Sequence, residues 1–167
     1  MDIEEIVDGV EALGGVLTLR PREGDGSPAI SWGDLFFYYA PDGVVPAAQP
    51  FATIVTKDYP DDHDSRLDRP GAFRVNVAAG SARFRELTGH DPGDAALGES
   101  GSGLVVRATP DVVFAHPVYG SLGWLCVVNP GADAEGVVRE LLRTAHDLAS
   151  RRYERRHEAR PGAKPAT

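Results

Sequence analysis

The chain of 167 residues is long enough to bury one hydrophobic core, and its 42% hydrophobic and 25% charged residues are ordinary for a globular protein. A single cysteine, Cys126, excludes an internal disulfide and a cysteine-rich metal site. The apolar runs are far shorter than the ~20 residues of a membrane helix. The acidic N-terminal segment also lacks the pattern of a signal peptide. We therefore expect a cytoplasmic protein without a membrane partner.

Charge is distributed unevenly along the chain. The net charge is −8, yet residues 151–167 contain six basic and two acidic residues, so the rest of the chain carries −12. A body this acidic repels nucleic-acid phosphates, which argues against nucleic acid as a partner. We predict a single α+β domain over residues 1–153 and a basic, disordered tail over 154–167.

The N-terminal half predicts one helix followed by several strands. Apolar residues recur at helical spacing over 3–13, and Asp2 precedes them as a helix cap. Strands are predicted at 15–19 and 51–56. Between them, two further strands form a predicted hairpin that turns at Gly33 and ends at Tyr39. Residues 57–71 form a long, charged connection, the kind of segment that often carries a functional site.

The C-terminal half continues with strands and ends in a helix. Residues 72–78 alternate, so that Phe73, Val75 and Val77 face one side and Arg74 and Asn76 face the other. A short helix follows, capped by Ser81 and ended by Gly89. The prediction then has strands at 104–108, 112–116 and 123–128 and a final amphipathic helix.

This order of elements predicts an α+β fold. An antiparallel sheet would be covered on one face by the N-terminal and C-terminal helices, giving a two-layer sandwich. The other face would form a concave site together with the 57–71 connection. Alternatively, an uncovered apolar face would be the interface of a homodimer.

A first candidate site is the acidic stretch KDYPDDHD at 57–64. Carboxylate oxygens suit hard cations, and a histidine among them suits manganese or iron, so Asp58, Asp61 and His63 are candidate metal ligands. The spacing matches no EF-hand loop, because the glycine and the final glutamate are missing. The alternative is that these acids are simply solvated. The sequence identifies no cofactor.

A second candidate is a group of cationic and amide side chains between residues 57 and 76. Lys57, Arg69, Arg74 and Asn76 stand in an otherwise acidic chain, and the last two share one strand face. On a pocket wall, such side chains would bind a carboxylate or a phosphate. The alternative is that the arginines pair with neighbouring aspartates.

A third candidate is the stretch AHPVYGSLGW at 115–124. His116 ends one predicted strand and Trp124 begins the next, so both lie with Tyr119 near one end of a hairpin. They predict a ligand platform, or alternatively a structural histidine beside a core tryptophan. The sequence has no serine-hydrolase elbow, P-loop, dinucleotide fingerprint or zincin motif, and the GESGSG stretch at 98–103 lies in a glycine-rich loop.

Four segments resemble an uncharacterised actinobacterial family of unknown function, DUF6194. They are DLFFYYAPDG, PFATIVTKDYPDD, SRLDRPGAFRVNV and HPVYGSLGWLCVVNPG. This resemblance runs from about residue 2 to 153 and implies no activity. The C-terminal part is more distantly similar to the MmcQ/YjbR proteins, which implies a CyaY-like, frataxin-like α+β sandwich. Those proteins are often described as DNA-binding, a role that needs a basic face absent from this sequence.

Three functions follow as hypotheses. The first is binding of a small anionic or aromatic metabolite, with Arg74 holding its charge and Tyr119 and Trp124 stacking on it. The second is an enzyme in which His116 or His63 is the general base, with a metal held by the nearby acids. The third is a DNA-binding or protein-interaction module that acts through the basic tail.

Overall fold

The structure is a computed structural model that describes residues 1–97 and 107–158. Its centre is a six-stranded sheet in the order β1-β2-β3-β4-β6-β5, with every neighbouring pair antiparallel. The strands are β1 Val16–Leu19, β2 Leu35–Tyr39, β3 Ala52–Val55, β4 Arg74–Ala78, β5 Val113–Ala115 and β6 Trp124–Val128. The α-helices with both bounds in the described part are α1 Ile3–Glu11, α2 Gly80–Thr88 and α3 Glu135–Glu158.

Helix α1 begins where the sequence predicts. The Asp2 side chain accepts a hydrogen bond from the Glu5 backbone, and the Glu5 side chain accepts one from the Asp2 backbone, at 2.8 Å each. This capping box satisfies two backbone donors that the first turn leaves without partners. The apolar stripe of the helix is buried against the sheet through Ile6, Val7 and Val10.

One face of the sheet carries the main hydrophobic core. Alternation along the strands directs Phe37, Ile54, Val75 and Leu125 to this face, and all are almost fully buried. The helices contribute Val10 of α1, Phe84 of α2, and Val138, Leu141, Leu142 and Ala145 of α3 to the same cluster. The predicted α+β architecture, with helices over one face of an antiparallel sheet, is confirmed.

The opposite face, which we call the open face, is only partly covered. The 57–71 connection crosses it and seals a small second cluster that includes Val55, Leu67, Phe114 and Cys126. No helix of the described part contributes to that cluster. The remainder of the open face is therefore free to form a cavity.

Some predicted elements differ from the structure. Residues 29–31 form a 3₁₀ turn after Pro28 rather than a hairpin strand, because β1 and β3 already occupy the two edges of β2. The predicted cap of α2 by Ser81 is wrong, because the helix already begins at Gly80. Its N-cap residue is Ala79, which makes no side-chain hydrogen bond. Of the predicted strand at 104–108, residues 107 and 108 are helical and the rest lies outside the described residues, as does the 98–103 stretch.

Helix α3 continues beyond the predicted end of the domain. It extends into the segment predicted to be a tail and ends at Glu158, while residues 159–167 lie outside the described part. The predicted domain boundary at 153 stays a prediction. None of the described helices combines the length and apolar character needed to cross a membrane.

Candidate functional site

A cavity of about 500 Å³ lies on the open face of the sheet. Its floor is formed by outward-facing side chains of β2, β3, β4 and β6, and its walls come from the 57–71 connection and the 116–124 hairpin. The lining residues are Ile30, Phe36, Tyr38, Gln49, Pro50, Thr53, Val55, Tyr59, Pro60, Asp61, Asp62, Arg74, Asn76, His116, Val118, Tyr119, Leu122 and Trp124. The strand period of two explains the floor, because Phe36, Thr53 and Asn76 alternate with core residues.

Aromatic rings dominate one side of this cavity. Tyr119 lies 4.8 Å from His116 and 6.1 Å from Trp124 between ring centroids, and its side chain is half exposed. Trp124 is almost buried at the start of β6. Gly123 directly before it has a positive φ of 81°, a conformation that glycine adopts without steric cost. This glycine lets the chain turn sharply from Tyr119 into β6.

Arg74 lies at the base of the cavity and is only 2% exposed. Its Nη1 and Nη2 donate to the two carboxylate oxygens of Asp62 at 2.9 and 2.5 Å. Nη1 also donates to Ser65 Oγ at 2.9 Å, and Nε donates to Asn76 Oδ1 at 2.7 Å. Four of the five guanidinium N–H groups therefore have protein acceptors, and Nη2 also lies 3.4 Å from His116 Nε2.

The expectation that Arg74 holds the charge of a ligand does not fit this geometry. The structure instead has the alternative arrangement, in which Arg74 pairs with an aspartate, Asp62. Burial alone would raise the pKa of Asp62, but the hydrogen bonds and charge of Arg74 outweigh it and lower that pKa below its ordinary value. The pair is therefore ionised and joins the 57–71 connection to β4.

His116 is buried beside this pair with a defined protonation state. Its Nδ1 accepts hydrogen bonds from the backbone N–H groups of Val118 and Tyr119 at 3.1 and 3.2 Å. Burial, followed by the charge of Arg74, lowers the pKa of His116 to about 3. The ring is therefore neutral, and because Nδ1 accepts, its proton is on Nε2. Nε2 lies 3.4 Å from Arg74 Nη2 and 3.8 Å from Asp62 Oδ2.

Asn76 connects the polar floor to the neighbouring strands. Its Oδ1 accepts from Arg74 and from Cys126 Sγ, the latter at 3.1 Å, and its Nδ2 donates to Thr53 Oγ1 at 2.9 Å. Burial raises the pKa of the Cys126 thiol to about 12, so the thiol is protonated at neutral pH. The floor is thus one connected hydrogen-bond network across β3, β4 and β6.

Two predicted cationic ligands lie outside the cavity. Lys57 Nζ donates to the Trp32 carbonyl at 2.6 Å and lies 3.0 Å from the buried carboxylate of Asp34. Arg69 is exposed and donates to the Ala108 carbonyl at 3.1 Å. Both side chains fasten loops to the domain. Among the predicted ligand-binding residues, those that line the cavity are Arg74, Asn76, Tyr119 and Trp124.

The candidate metal ligands are not brought together. Asp58 accepts the Leu67 N–H at 2.7 Å and so stabilises the connection, while Asp61 is exposed at the cavity and His63 is exposed. Within residues 1–97 and 107–158, no group of three or more histidine, cysteine, aspartate or glutamate side chains is arranged to hold a metal ion.

Sequence reasoning missed three aromatic lining residues. Phe36 and Tyr38 belong to LFFYY, where alternation with the core residues Leu35 and Phe37 was a sufficient signal. Tyr59 was not foreseeable, because its hydroxyl is held by a 2.5 Å hydrogen bond to Asp34, distant in sequence. Burial and this carboxylate raise the pKa of Tyr59.

Comparison with known proteins places the chain in a family. No curated protein and no solved structure matches it, so the similarity to MmcQ/YjbR proteins and the actinobacterial origin stay predictions. A family model described as a family of unknown function, DUF6194, matches residues 1–158. The chain therefore belongs to the DUF6194 family.

Proposed function

We propose that this protein binds a small molecule with a flat, apolar body in the cavity of the open face. The observation that carries the proposal is a cavity of about 500 Å³ with aromatic walls over a hydrogen-bonded polar floor. Ligand sites are commonly concave, mostly apolar and about 300–1,000 Å³ in volume, with a few fixed polar groups. The rings of Tyr119 and Trp124 supply faces on which a planar ligand can stack.

Polar atoms at the aromatic walls support this proposal. The Trp124 indole N–H and the Tyr38 and Tyr119 hydroxyls have no hydrogen-bond partner among the residues that the structure describes. Each carries a donor, and the two hydroxyls also accept. These groups are available to orient a ligand, whereas the floor residues already have protein partners.

The hydrogen-bonded floor supports binding by a preformed site. Arg74, Asp62 and Asn76 are held by one another and by β3 and β6, so a ligand need not order them. Preorganisation reduces the entropic cost of binding. It also makes the floor a poor charge anchor, because a ligand carboxylate would have to displace Asp62.

General-base catalysis is less well supported. His116 uses the lone pair of Nδ1 for two backbone donors and carries its proton on Nε2, so it lacks a free lone pair for a substrate proton. His63 is exposed and does not line the cavity. The net charge of −12 on residues 1–150 argues against a nucleic-acid role, because it repels phosphates.

A thermal-shift screen against flat aromatic compounds tests the proposal. A ligand that binds only the native state adds about 2.7 kcal/mol of stability at a hundredfold excess over its Kd. We expect hits whose shift is lost in Trp124→Leu and kept in Trp32→Leu, because Trp32 does not line the cavity. Hits that keep their shift in Trp124→Leu would contradict the proposed site.

The oligomeric state provides a second check. Sedimentation of the purified protein with and without ligand should show that the species that binds is the monomer, in which no partner copy covers Trp124. If the protein is a homodimer in which the partner copy covers Tyr119 and Trp124, the aromatic walls form an interface and the small-molecule proposal fails.

A further inference from the structure

A groove lined by arginines adjoins the cavity. It has a volume of about 420 Å³ and includes Arg151, Arg152 and Arg155 from the last turns of α3. We call these three residues and their surroundings the arginine groove. It shares four lining residues with the cavity, namely Gln49, Pro50, Leu122 and Trp124. The two spaces are therefore contiguous around the Trp124 side chain.

These three arginines have no acidic partner among the described residues, a property that they share with Arg22, Arg66, Arg69, Arg143 and Arg156. Ion pairs hold Arg20, Arg74, Arg83, Arg85, Arg107 and Arg139. Within residues 1–97 and 107–158, neither Arg151 nor Arg155 makes an ion pair or a side-chain hydrogen bond, and Arg152 donates only to the Leu148 carbonyl. What distinguishes these three is their position, because three unpaired guanidinium groups line one groove in a chain with an excess of acidic residues.

The like charges disfavour one another. Burial lowers the pKa of Arg152, and the charges of Arg156 and Arg155 lower it further. The helix dipole favours cations only within about the last turn, and α3 ends at Glu158, so it does not account for Arg151 and Arg152. An anion in the groove would relieve this repulsion, because guanidinium groups bind phosphate, sulfate and carboxylate with charge-assisted hydrogen bonds.

We infer that the arginine groove binds the anionic group of the ligand whose flat body occupies the adjoining cavity. This inference rests on the proposed function. It assigns the charge anchor to Arg151 and Arg155 on α3, in place of Arg74 on β4, whose guanidinium is buried and paired with Asp62. The ligand class is then an aromatic compound with a phosphate, sulfate or carboxylate at one end, long enough to pass Trp124.

Matched probes separate the two parts of the site. Isothermal titration calorimetry measures the binding of three compounds. 1-Naphthyl phosphate has both the flat aromatic body and the anionic group, 1-naphthol has the aromatic body alone, and inorganic phosphate has the anionic group alone. The variants are the double substitution Arg151→Gln/Arg155→Gln, the cavity variant Trp124→Leu, and Arg143→Gln as a control. Arg143 lies on the same helix but lines a different surface, near Met1 and Leu142.

We expect wild-type protein to bind 1-naphthyl phosphate at least about tenfold more tightly than 1-naphthol, with an affinity that falls as salt is raised. The double variant should lose that advantage and bind both naphthyl probes equally, while Arg143→Gln retains wild-type affinities. Trp124→Leu should weaken both naphthyl probes.

Four results would overturn the inference. If the two naphthyl probes bind equally to wild-type protein, or if the double variant keeps the preference, the groove is not the anchor, although cavity binding stands. If the phosphate ester binds through the arginines and Trp124→Leu has no effect, the groove acts apart from the cavity. If neither naphthyl probe binds, both this inference and the proposed function fail.

Discussion

Arg74 on β4 and Asp62 in the 57–71 connection form a two-pronged ion pair, with Nη1–Oδ1 and Nη2–Oδ2 distances of 2.9 and 2.5 Å. Both side chains are nearly buried, at 3% and 10% exposure. The pair holds the connection over the open face and thereby determines the shape of the cavity floor.

Breaking this pair is expected to be costly. Asp62→Asn leaves the buried guanidinium of Arg74 without a counter-ion, and removal of one partner of a buried pair typically costs about 3–5 kcal/mol. Urea unfolding measures the loss. As a control, Arg20→Gln breaks an exposed pair with Glu4 and should cost less than about 1 kcal/mol. Equal losses in the two variants would show that the Arg74–Asp62 pair is not structural.

Acid should destabilise the protein through His116. The pKa of His116 is lowered to about 3 in the native state, against 6.5 for the free side chain. Between these values the unfolded chain binds a proton that the native chain does not. The free energy of unfolding therefore decreases as pH falls below 6.5, by up to about 1.4 kcal/mol per pH unit from this residue.

Urea unfolding at pH 6.5 and pH 4.5 tests this dependence. His116→Gln removes the titration, so its free energy of unfolding should fall less over that interval. Asp62 also has a lowered pKa, but its contribution is lost only below the ordinary value of 3.8 and so lies outside the interval. The same pH dependence in both proteins would argue against a neutral buried His116.

Gly123 is expected to be sensitive to substitution. A Cβ on Gly123 would lie 3.2 Å from the Gly80 carbonyl carbon, and its φ of 81° is unfavourable for alanine. Gly24 has a similar φ of 84° with nothing within 4 Å, which makes it a matched control. We expect Gly24→Ala to cost about 1 kcal/mol and Gly123→Ala about 1–3 kcal/mol more. Denaturation curves that place both variants at the same stability would contradict the close approach.

Cys126 should be unreactive in the native protein. Its thiol is buried, and burial raises the pKa to about 12, so very little thiolate is present at neutral pH. Labelling with iodoacetamide, followed by mass spectrometry, should be slower by about a thousandfold than in urea. Comparable rates in buffer and in urea would mean that the open face of β6 is accessible to solvent.

The pattern of alternation made much of the floor predictable. In residues 72–78 it separated Val75 and Val77, which are in the core, from Arg74 and Asn76, which line the cavity. The partner of Arg74 was not predictable in the same way. Strand periodicity fixes which face a side chain occupies, whereas the choice of Asp62 over a ligand depends on how the turn-rich 57–71 connection folds back.

The arginines of α3 illustrate the same limit. Their sequence pattern is typical of a solvated helix end, and nothing local indicates that Arg151 and Arg155 adjoin Trp124. That proximity arises because α3 packs on the helix-covered face and its last turns lie near Ala78, at the C-terminal end of β4, and near Pro50. Such contacts between distant segments require the fold.

The most direct test of the central claim uses the two tryptophans as reporters. Trp32→Phe leaves Trp124 as the only tryptophan, and Trp124→Phe leaves Trp32, which donates to the Ser27 carbonyl away from the cavity. Each protein is titrated with the most stabilising compound from the thermal screen while tryptophan emission is recorded. We predict a saturable change in the emission of Trp124, with the affinity found by calorimetry, and none from Trp32. An unchanged Trp124 emission at saturation would contradict binding in this cavity.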